Sequence, residues 1–373
     1  MCGINGVFHY RSGEPDRELV RRQAMAQRHR GPDDWDVWCE GPVALAQRRL
    51  SIVELSQAGH QPMANEDGSV WVTFNGELYN WPEVKPGLVA RGHTLRGNSD
   101  TEMLLHLWEE KGADLVDDLR GMFAFALFDR PRRRLMLARD RFGKKPLYYH
   151  DDGQRIVFAS ELKALVLDPS VPREVDSQSV ADFLTYQYVP SPQSILRGVR
   201  KLPPAHRLIA DESGVRVERY WSLPVAADTS IRPEEAVEGL RSRLAEAVRI
   251  RLMSDVPLGA FLSGGIDSSS VVAAAMRAGA GRLKTFSIAF GGGAEEQSFD
   301  ESRYARLVAE RFGTEHIEER LEPDDLLAIV PHVGEILDEP MADGSIVPTF
   351  ALSRLARRHV TVALGGDGGD ELF

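Results

Sequence analysis

Residues 257–276 read PLGAFLSGGIDSSSVVAAAM. A short apolar run, Pro257–Leu262, leads into the glycine- and serine-rich Ser263–Ser269 (SGGIDSS), and an alanine- and valine-rich helix is predicted from Ser268. Strand, tight loop and helix in that order open a parallel sheet with crossover helices. The loop's backbone N–H groups and the helix N-terminus together form a cradle for an anion. The Walker A spacing and its Gly-Lys-Ser/Thr ending are absent. A Gly/Ser turn capping a helix is the plain alternative; the strand–loop–helix setting together with the acidic Asp267 inside the loop favours the functional reading.

Outward from this stretch the alternation continues. Upstream, a helix from Glu234 sets Leu240, Leu244 and Val248 on one face. Downstream, Thr285–Phe290 reads as a strand, Glu301–Phe312 as a helix, the region near 323–337 as helical, and Val360–Leu364 as a parallel strand. This predicts a doubly wound, Rossmann-like parallel sheet over 234–373. Gly365–Glu371 (GGDGGDE) falls at the carboxyl end of the last strand, where ligands of open sheets bind. A parallel-sheet domain rarely stops there, so further helices are expected after Phe373.

The first half has another texture. GVFHY, VWVTFNG, GMFAFALFD, RLMLARD and RIVFASEL are strand-like runs between Gly, Pro and Asp turns. Phe123–Asp129 and Leu135–Arg139 predict a hairpin whose basic tip, Arg130–Arg134, is a solvated turn rather than a nucleic-acid patch. In Thr101–Lys111, Leu104, Leu105 and Trp108 recur at helical spacing. Many strands with few helices predict an α+β domain over 1–215, and the aperiodic stretch within 216–233 a linker.

Composition narrows the partners. The 373 residues carry a formal charge of −11, which argues against a nucleic-acid grip. No apolar run approaches a membrane span, and MCGINGVFHY lacks the features of a signal peptide. Two cysteines without a CxxC pair suggest neither a disulfide framework nor zinc, and a reducing cytoplasmic setting fits best. Cys39 and most of the histidines read as structural.

Cys2 reads differently. Loss of Met1 would put a thiol and a free α-amino group on one residue. An amine whose ordinary pKa lies near neutrality can accept the thiol proton, so such a nucleophile needs no separate base. Behind it follow, in order, Arg28–Asp34 (RHRGPDD), Arg49–Val53 (RLSIV), Asn75–Glu77 (NGE), Ser99–Glu102 (SDTE) and Arg139–Tyr149 (RDRFGKKPLYY). With the opening M-C-G-I-x-G, these motifs resemble the glutaminase domain of class II glutamine amidotransferases, which have N-terminal-nucleophile folds of two sandwiched antiparallel sheets. Asn-Gly is also a strong turn signal, and alone NGE would read as a hairpin turn.

The resemblance implies roles. Cys2 attacks glutamine, and the Asn75 side-chain amide with the Gly76 N–H forms an oxyanion hole. Arg49, heading Leu50, Ser51, Ile52 and Val53, clamps the glutamine carboxylate, while Glu77 and Asp100 meet its ammonium. Glycine suits 76 because the backbone must approach closely and could need positive φ. The SGGIDSS loop resembles the pyrophosphate loop of enzymes that cleave ATP to AMP and pyrophosphate. Residues 338–350 (DEPMADGSIVPTF) and 353–358 (SRLARR) extend the likeness to glutamine-hydrolysing asparagine synthetases over nearly the whole chain. It implies ATP contacts at Leu262, Ser263, Gly264, Gly265, Asp267, Ser268, Ser269, Ile288, Gly365 and Gly366. It also implies Mg²⁺ on Asp267 and Asp370, a catalytic acid at Asp367 and, by resemblance alone, a homodimer.

Three departures stand out. Well-known members read SGEG where this chain has Gly365-Gly366-Asp367-Gly368, so the acid is one methylene shorter. They carry an arginine for the acceptor carboxylate where this chain has Gly344. They also supply lysines at positions past 373. The expected function is a glutamine-dependent synthesis of asparagine from aspartate. The rivals are an amidotransferase for another carboxylate in surface-polysaccharide or secondary-metabolite biosynthesis, a cyclising β-lactam-synthetase-like enzyme, which Cys2 disfavours, and a non-catalytic binding module.

Overall fold

A computed structural model describes residues 1–226, 230–291 and 300–372. The chain forms two compact units, Met1–Pro224 with Leu337–Ala342, and Val225–Ile336 with Asp343–Phe373.

The first unit holds two six-stranded antiparallel sheets. One contains β1 (Gly3–His9), β2 (Asp34–Glu40), β3 (Val43–Arg49), β8 (Tyr148–Asp151), β9 (Arg155–Ala159) and β10 (Val199–Lys201), in the order β10-β8-β9-β1-β3-β2. The other contains β4 (Met63–Ala64), β5 (Val70–Leu78), β6 (Gly121–Asp129), β7 (Arg134–Arg139), β11 (His206–Asp211) and β12 (Gly214–Arg219), in the order β12-β11-β7-β6-β5-β4.

The two-residue period of β6 shows how they stack. Ala124, Ala126 and Phe128 pack with Ile4, Phe8 and Leu45 of the facing sheet. Phe123, Phe125 and Leu127 pack on the opposite side with Leu104, Leu105 and Trp108 of the helix Glu102–Lys111. On the far face of the first sheet, Val7, Ala44 and Ala46 pack with Val20 and Ala24 of the helix Arg17–Ala26. The layers are therefore helix, sheet, sheet, helix: the N-terminal-nucleophile sandwich.

The β6–β7 hairpin forms as expected, and its basic tip is an ion-paired turn, with Arg130 on Glu40, Arg132 on Asp129 and Arg134 on Asp211. Asn75-Gly76-Glu77 is no turn, because it runs inside β5 against Ala124, Phe123 and Met122 of β6. The stretch read as a linker from 216 begins as structure. Its first residues complete β12, and the Tyr220 hydroxyl donates to the Arg139 carbonyl at 2.7 Å. The alternating Arg and Glu of this edge strand hid it. Residues 227–229 of that stretch lie outside the described residues.

The second unit is a four-stranded parallel sheet in the order β15-β14-β13-β16, formed by β13 (Leu258–Phe261), β14 (Lys284–Phe290), β15 (Glu315–Leu321) and β16 (Val362–Leu364). Ala260 and Leu262 pack with Val248, Val272 and Ala305 of helices Pro233–Arg251, Ile266–Arg277 and Ser302–Phe312. Phe286 packs the other way, with Leu355 and Ala356 of helix Ile346–Arg357. Helices cover both faces, as a doubly wound sheet requires.

Four details correct the sequence reading. The loop helix starts at Ile266, two residues early. Leu240 is exposed, so the apolar face of its helix begins at Leu244. The region near 323–337 opens at Pro323 and is broken into Pro323–Leu327, Val330–His332 and Val333–Ile336, with Pro331 and Gly334 disfavouring one continuous helix. Val360 is buried just ahead of β16 rather than within it.

Candidate functional site

Cys2 directly precedes β1 and is half-buried. The Leu50 amide points at its sulfur, 3.4 Å away, and the thiol lies 3.7 Å from the Leu50 carbonyl. Arg30 fixes the main chain: Nε donates to the Cys2 carbonyl at 2.8 Å, while Nη1 reaches Glu161 at 2.9 Å. RHRGPDD is therefore a brace for the nucleophile. Gly31 is obligatory there, because a Cβ would sit 2.3 Å from the Arg48 carbonyl carbon.

β5 is tied to β3 by side chains, Gln47 donating to the Phe74 carbonyl at 2.7 Å and Thr73 to the Ala46 carbonyl at 3.1 Å. This sets Asn75 near the end of β3 that carries Arg49 and Leu50. Asn75 is wholly buried, and neither its amide nitrogen nor its oxygen has a partner among the described residues. Buried polar atoms almost always have partners, so an orphaned amide points to a ligand group. Gly76 has no positive φ; its need is room, since a Cβ would lie 2.2 Å from the Met122 carbonyl.

Asp100 closes this end of β5, accepting the Leu78 amide at 2.9 Å. Burial pushes its carboxyl up to about 6, against the backbone donors of Leu78 and Thr101. Arg49 is engaged already, its guanidinium donating to the carbonyls of Val53, Glu54 and Ser56. It shapes the 53–56 loop as well as carrying its positive charge there, a task the clamp reading left out. Ser51 is held through its amide on Asp33 at 2.9 Å. Ile52 and Val53 are half-buried, and Glu77 is too.

Lys145 is the residue that sequence reasoning missed. Its neighbour Asp140 accepts the amides of Phe142, Lys144 and Lys145, and Arg139 binds the Lys145 and Gly143 carbonyls, so RDRFGKKP fixes the main chain from which this side chain projects. Burial lowers the Lys145 pKa, opposed by the charges of Glu77 and Cys2. Its place inside a quoted motif was the available signal.

In the second unit, β13 and β16 are parallel neighbours, Ala260 facing Leu364, so their two loops emerge side by side. The order β14-β13-β16 makes this the switch point of the sheet. The Ser263 and Ser268 hydroxyls bond at 3.0 Å, and the Gly265 amide donates to the Ser263 hydroxyl at 3.2 Å, fixing the loop ahead of the helix. Gly264 has a φ of +90° and no space for a Cβ beside Tyr304 and Ala305. The Ser269 hydroxyl is buried with no partner among the described residues.

The loops touch. A Cβ at Gly366 would lie 2.7 Å from the Ser268 nitrogen, and one at Gly369 would lie 2.2 Å from an Asp267 carboxylate oxygen. Asp370 is exposed on the same loop, and the Asp367 carboxylate folds back toward Gly365. The Leu262 side chain is core, so only its main chain can meet a ligand; Ile288 is half-buried. Two carboxylates beside an open anion cradle are a donor set of hard oxygens that fits Mg²⁺.

Comparison with known proteins agrees with this anatomy. The glutamine amidotransferase domain family matches residues 1–221, and the asparagine synthase family residues 239–373. "Putative asparagine synthetase (glutamine-hydrolyzing) 2" of Methanocaldococcus jannaschii is 36% identical over all of this chain and 75% of its own length. "Asparagine synthetase (glutamine-hydrolyzing) 1" of Bacillus subtilis is also 36% identical, over all of this chain and 58% of its own length. The chain thus spans little more than half of the latter. A solved glutamine phosphoribosylpyrophosphate amidotransferase from B. subtilis is a distant likeness, with 15% identity and a TM-score of 0.46 over 94% of this chain and 96% of that one.

Sandwich, Cys2 and paired sheet loops together define a class II glutamine amidotransferase domain joined to a synthase domain. The chain belongs to the glutamine-hydrolysing asparagine synthetase family.

Proposed function

We propose that the protein makes asparagine from aspartate, using glutamine as the nitrogen donor and cleaving ATP to AMP and pyrophosphate. Once Met1 is removed, the Cys2 amine takes the thiol proton and the thiolate attacks the glutamine amide carbon. Charge then develops on the amide oxygen, where the Asn75 amide and the Gly76 N–H receive it. Asp100 and Glu77 hold the ammonium end, and Arg49 the carboxylate. The protonated Cys2 amine then gives its proton to the amide nitrogen, ammonia leaves as the glutamyl thioester forms, and water later releases glutamate.

In the synthase domain the acceptor carboxylate attacks the α-phosphate of ATP, giving an acyl-adenylate and pyrophosphate. Ammonia displaces AMP and leaves an amide. The Ser263–Ser269 loop and the start of its helix cradle the phosphates, with Leu262, Ile288, Gly365 and Gly366 about the adenosine. Asp267 and Asp370 would hold Mg²⁺, which neutralises phosphate charge. Asp367 assists formation and capture of the adenylate.

The observation that carries this reading is the same in both units: a buried polar group without a partner among the described residues, Asn75 in one and Ser269 in the other, beside the expected chemistry. The second reading, an amidotransferase for a different carboxylate, rests on Gly344, which is exposed and presents no cation where the resembled family has arginine.

The test supplies amide-¹⁵N glutamine, aspartate and MgATP and follows labelled asparagine and pyrophosphate. Both products establish the proposal. Labelled ammonia without asparagine would support the second reading and call for other carboxylates. Cys2→Ala should abolish glutamine use yet retain ammonia-dependent synthesis; loss of both in a folded variant would overturn the two-site scheme.

A further inference from the structure

Away from both sites, His93, His106 and Glu109 bring one ligand atom each within 4.8 Å of one another. His106 and Glu109 lie three residues apart on the helix Glu102–Lys111, and His93 lies on the turn after the helix Trp81–Ala90. Glu109 Oε2 stands 3.2 Å from His93 Nδ1 and 3.1 Å from His106 Nδ1. The two rings sit 4.7 Å apart, centre to centre. In a tetrahedral zinc site with bonds of about 2.0–2.1 Å, ligand atoms are separated by about 3.3 Å. Two edges of that triangle are already in place.

The surroundings match a metal shell. A metal-bound histidine donates its other ring nitrogen to a carboxylate, and a bound carboxylate has its second oxygen hydrogen-bonded. Here His93 Nε2 lies 3.0 Å from Glu110 Oε1, and Asn65 donates to Glu109 Oε1 at 2.6 Å. His106 Nε2 is buried without a partner among the described residues. Either tautomer leaves it unpaired, so it does not discriminate between a proton and a metal at Nδ1. Without a metal, His93 has a carboxylate at each ring nitrogen, and this His–Glu hydrogen-bonded cluster is the competing state. His93 and Glu109 side chains are 19% and 28% exposed, leaving an entry path and room for a water as fourth ligand.

We propose that His93 Nδ1, His106 Nδ1 and Glu109 Oε2 bind a divalent transition metal, of which Zn²⁺ best suits two imidazoles and one carboxylate. The metal staples the turn at His93 to the helix whose start follows Asp100. Glu102 on the first turn of that helix already receives the Arg96 and Gly97 amides, so the staple would brace the same segment from its other end.

The test uses untagged protein in a Cys2→Ala background, with millimolar Mg²⁺ present to fill the phosphate site. Zn²⁺ uptake is measured by equilibrium dialysis, and Co²⁺ is followed by its visible absorption. One equivalent of Zn²⁺ and an intense tetrahedral Co²⁺ band are expected. His93→Ala should weaken binding more than about 100-fold and Glu110→Gln about tenfold. Glu109→Gln keeps the shape and the contact with Asn65, and should also lose the metal while remaining folded. Zn²⁺ uptake no greater than in His93→Ala, or a Co²⁺ spectrum that this substitution leaves unchanged, overturns the site and leaves the hydrogen-bonded cluster.

Discussion

At the scale of single residues, burial supplies what the chemistry needs. Asp100 is a carboxylate held in a dry pocket, with its pKa raised from 3.8 to about 6. The folded state therefore binds an extra proton between about pH 4 and 6, and the contribution of Asp100 to stability falls as pH rises through that window. An incoming ammonium reverses the balance by favouring the anion. The KM for glutamine should thus rise about tenfold per pH unit below 6 and level off above it. Asp100→Asn should remove the bend and raise KM on the order of a hundredfold at pH 8, as expected for a lost charge-assisted contact. A bend that survives in this variant belongs to another group. Asn75 makes the complementary case. With neither polar atom paired among the described residues, Asn75→Ala breaks no side-chain hydrogen bond within them. Unfolding free energy should stay within about 1 kcal/mol of the original. The turnover number for glutamine hydrolysis should fall about 10²–10³-fold, as for a lost oxyanion donor. A variant that loses stability and keeps its turnover would make Asn75 a packing residue.

At the scale of elements, loops matter more than the strands that carry them. The Gly366 position meets the Ser268 nitrogen in the first turn of the phosphate helix, and backbone does not yield as a side-chain tip does. Gly366→Ala should push the two loops apart. It should lower kcat/KM for ATP in pyrophosphate release more than about tenfold, the size of a small displacement in a positioned site. Hydrolysis of glutamine alone should be unchanged; an equal loss in both would mean that the substitution acts through folding. What could be read from the sequence divides along this line. β6 announced itself because GMFAFALFD is apolar from Met122 to Phe128 and buried on both faces from Phe123 on. β15 did not: EHIEERL offers only Ile317 and Leu321 to the core, as an edge strand charged on its outer side. Cys2, Asn75, Asp100 and both sheet loops were legible because each sits in a compact local motif. The His93–His106–Glu109 cluster was not, for its members come from two helix-turn segments thirteen residues apart, and neither carries a metal spacing alone.

At the scale of the whole chain, sequence order and spatial order part company. Residues 337–342 come from the second half but belong to the first unit. Asp338 receives the Leu162 amide at 2.7 Å, and burial raises its pKa. Glu339 receives the Ile195 amide at 2.7 Å and the Tyr148 hydroxyl at 3.2 Å, and it pairs with Lys201 at 2.5 Å. These partners are 138 or more residues distant in sequence, so no local pattern could announce them. The consequence is chemical. DEPMADGSIVPTF resembles one continuous stretch of the synthase domain, yet its first two carboxylates, Asp338 and Glu339, are already committed to the sandwich. Glu339 and Lys201 are both mostly buried, and removing one partner leaves the other charge stranded along with the Ile195 amide. Glu339→Ala should therefore cost about 3 kcal/mol in the urea-induced unfolding of the first unit, whereas Glu339→Gln, which keeps the neutral hydrogen bonds, should cost less. Equal unfolding curves for both variants and the unaltered protein would reduce the segment to a passive strap; the expected loss makes it a structural part of the glutaminase sandwich supplied by the far end of the chain.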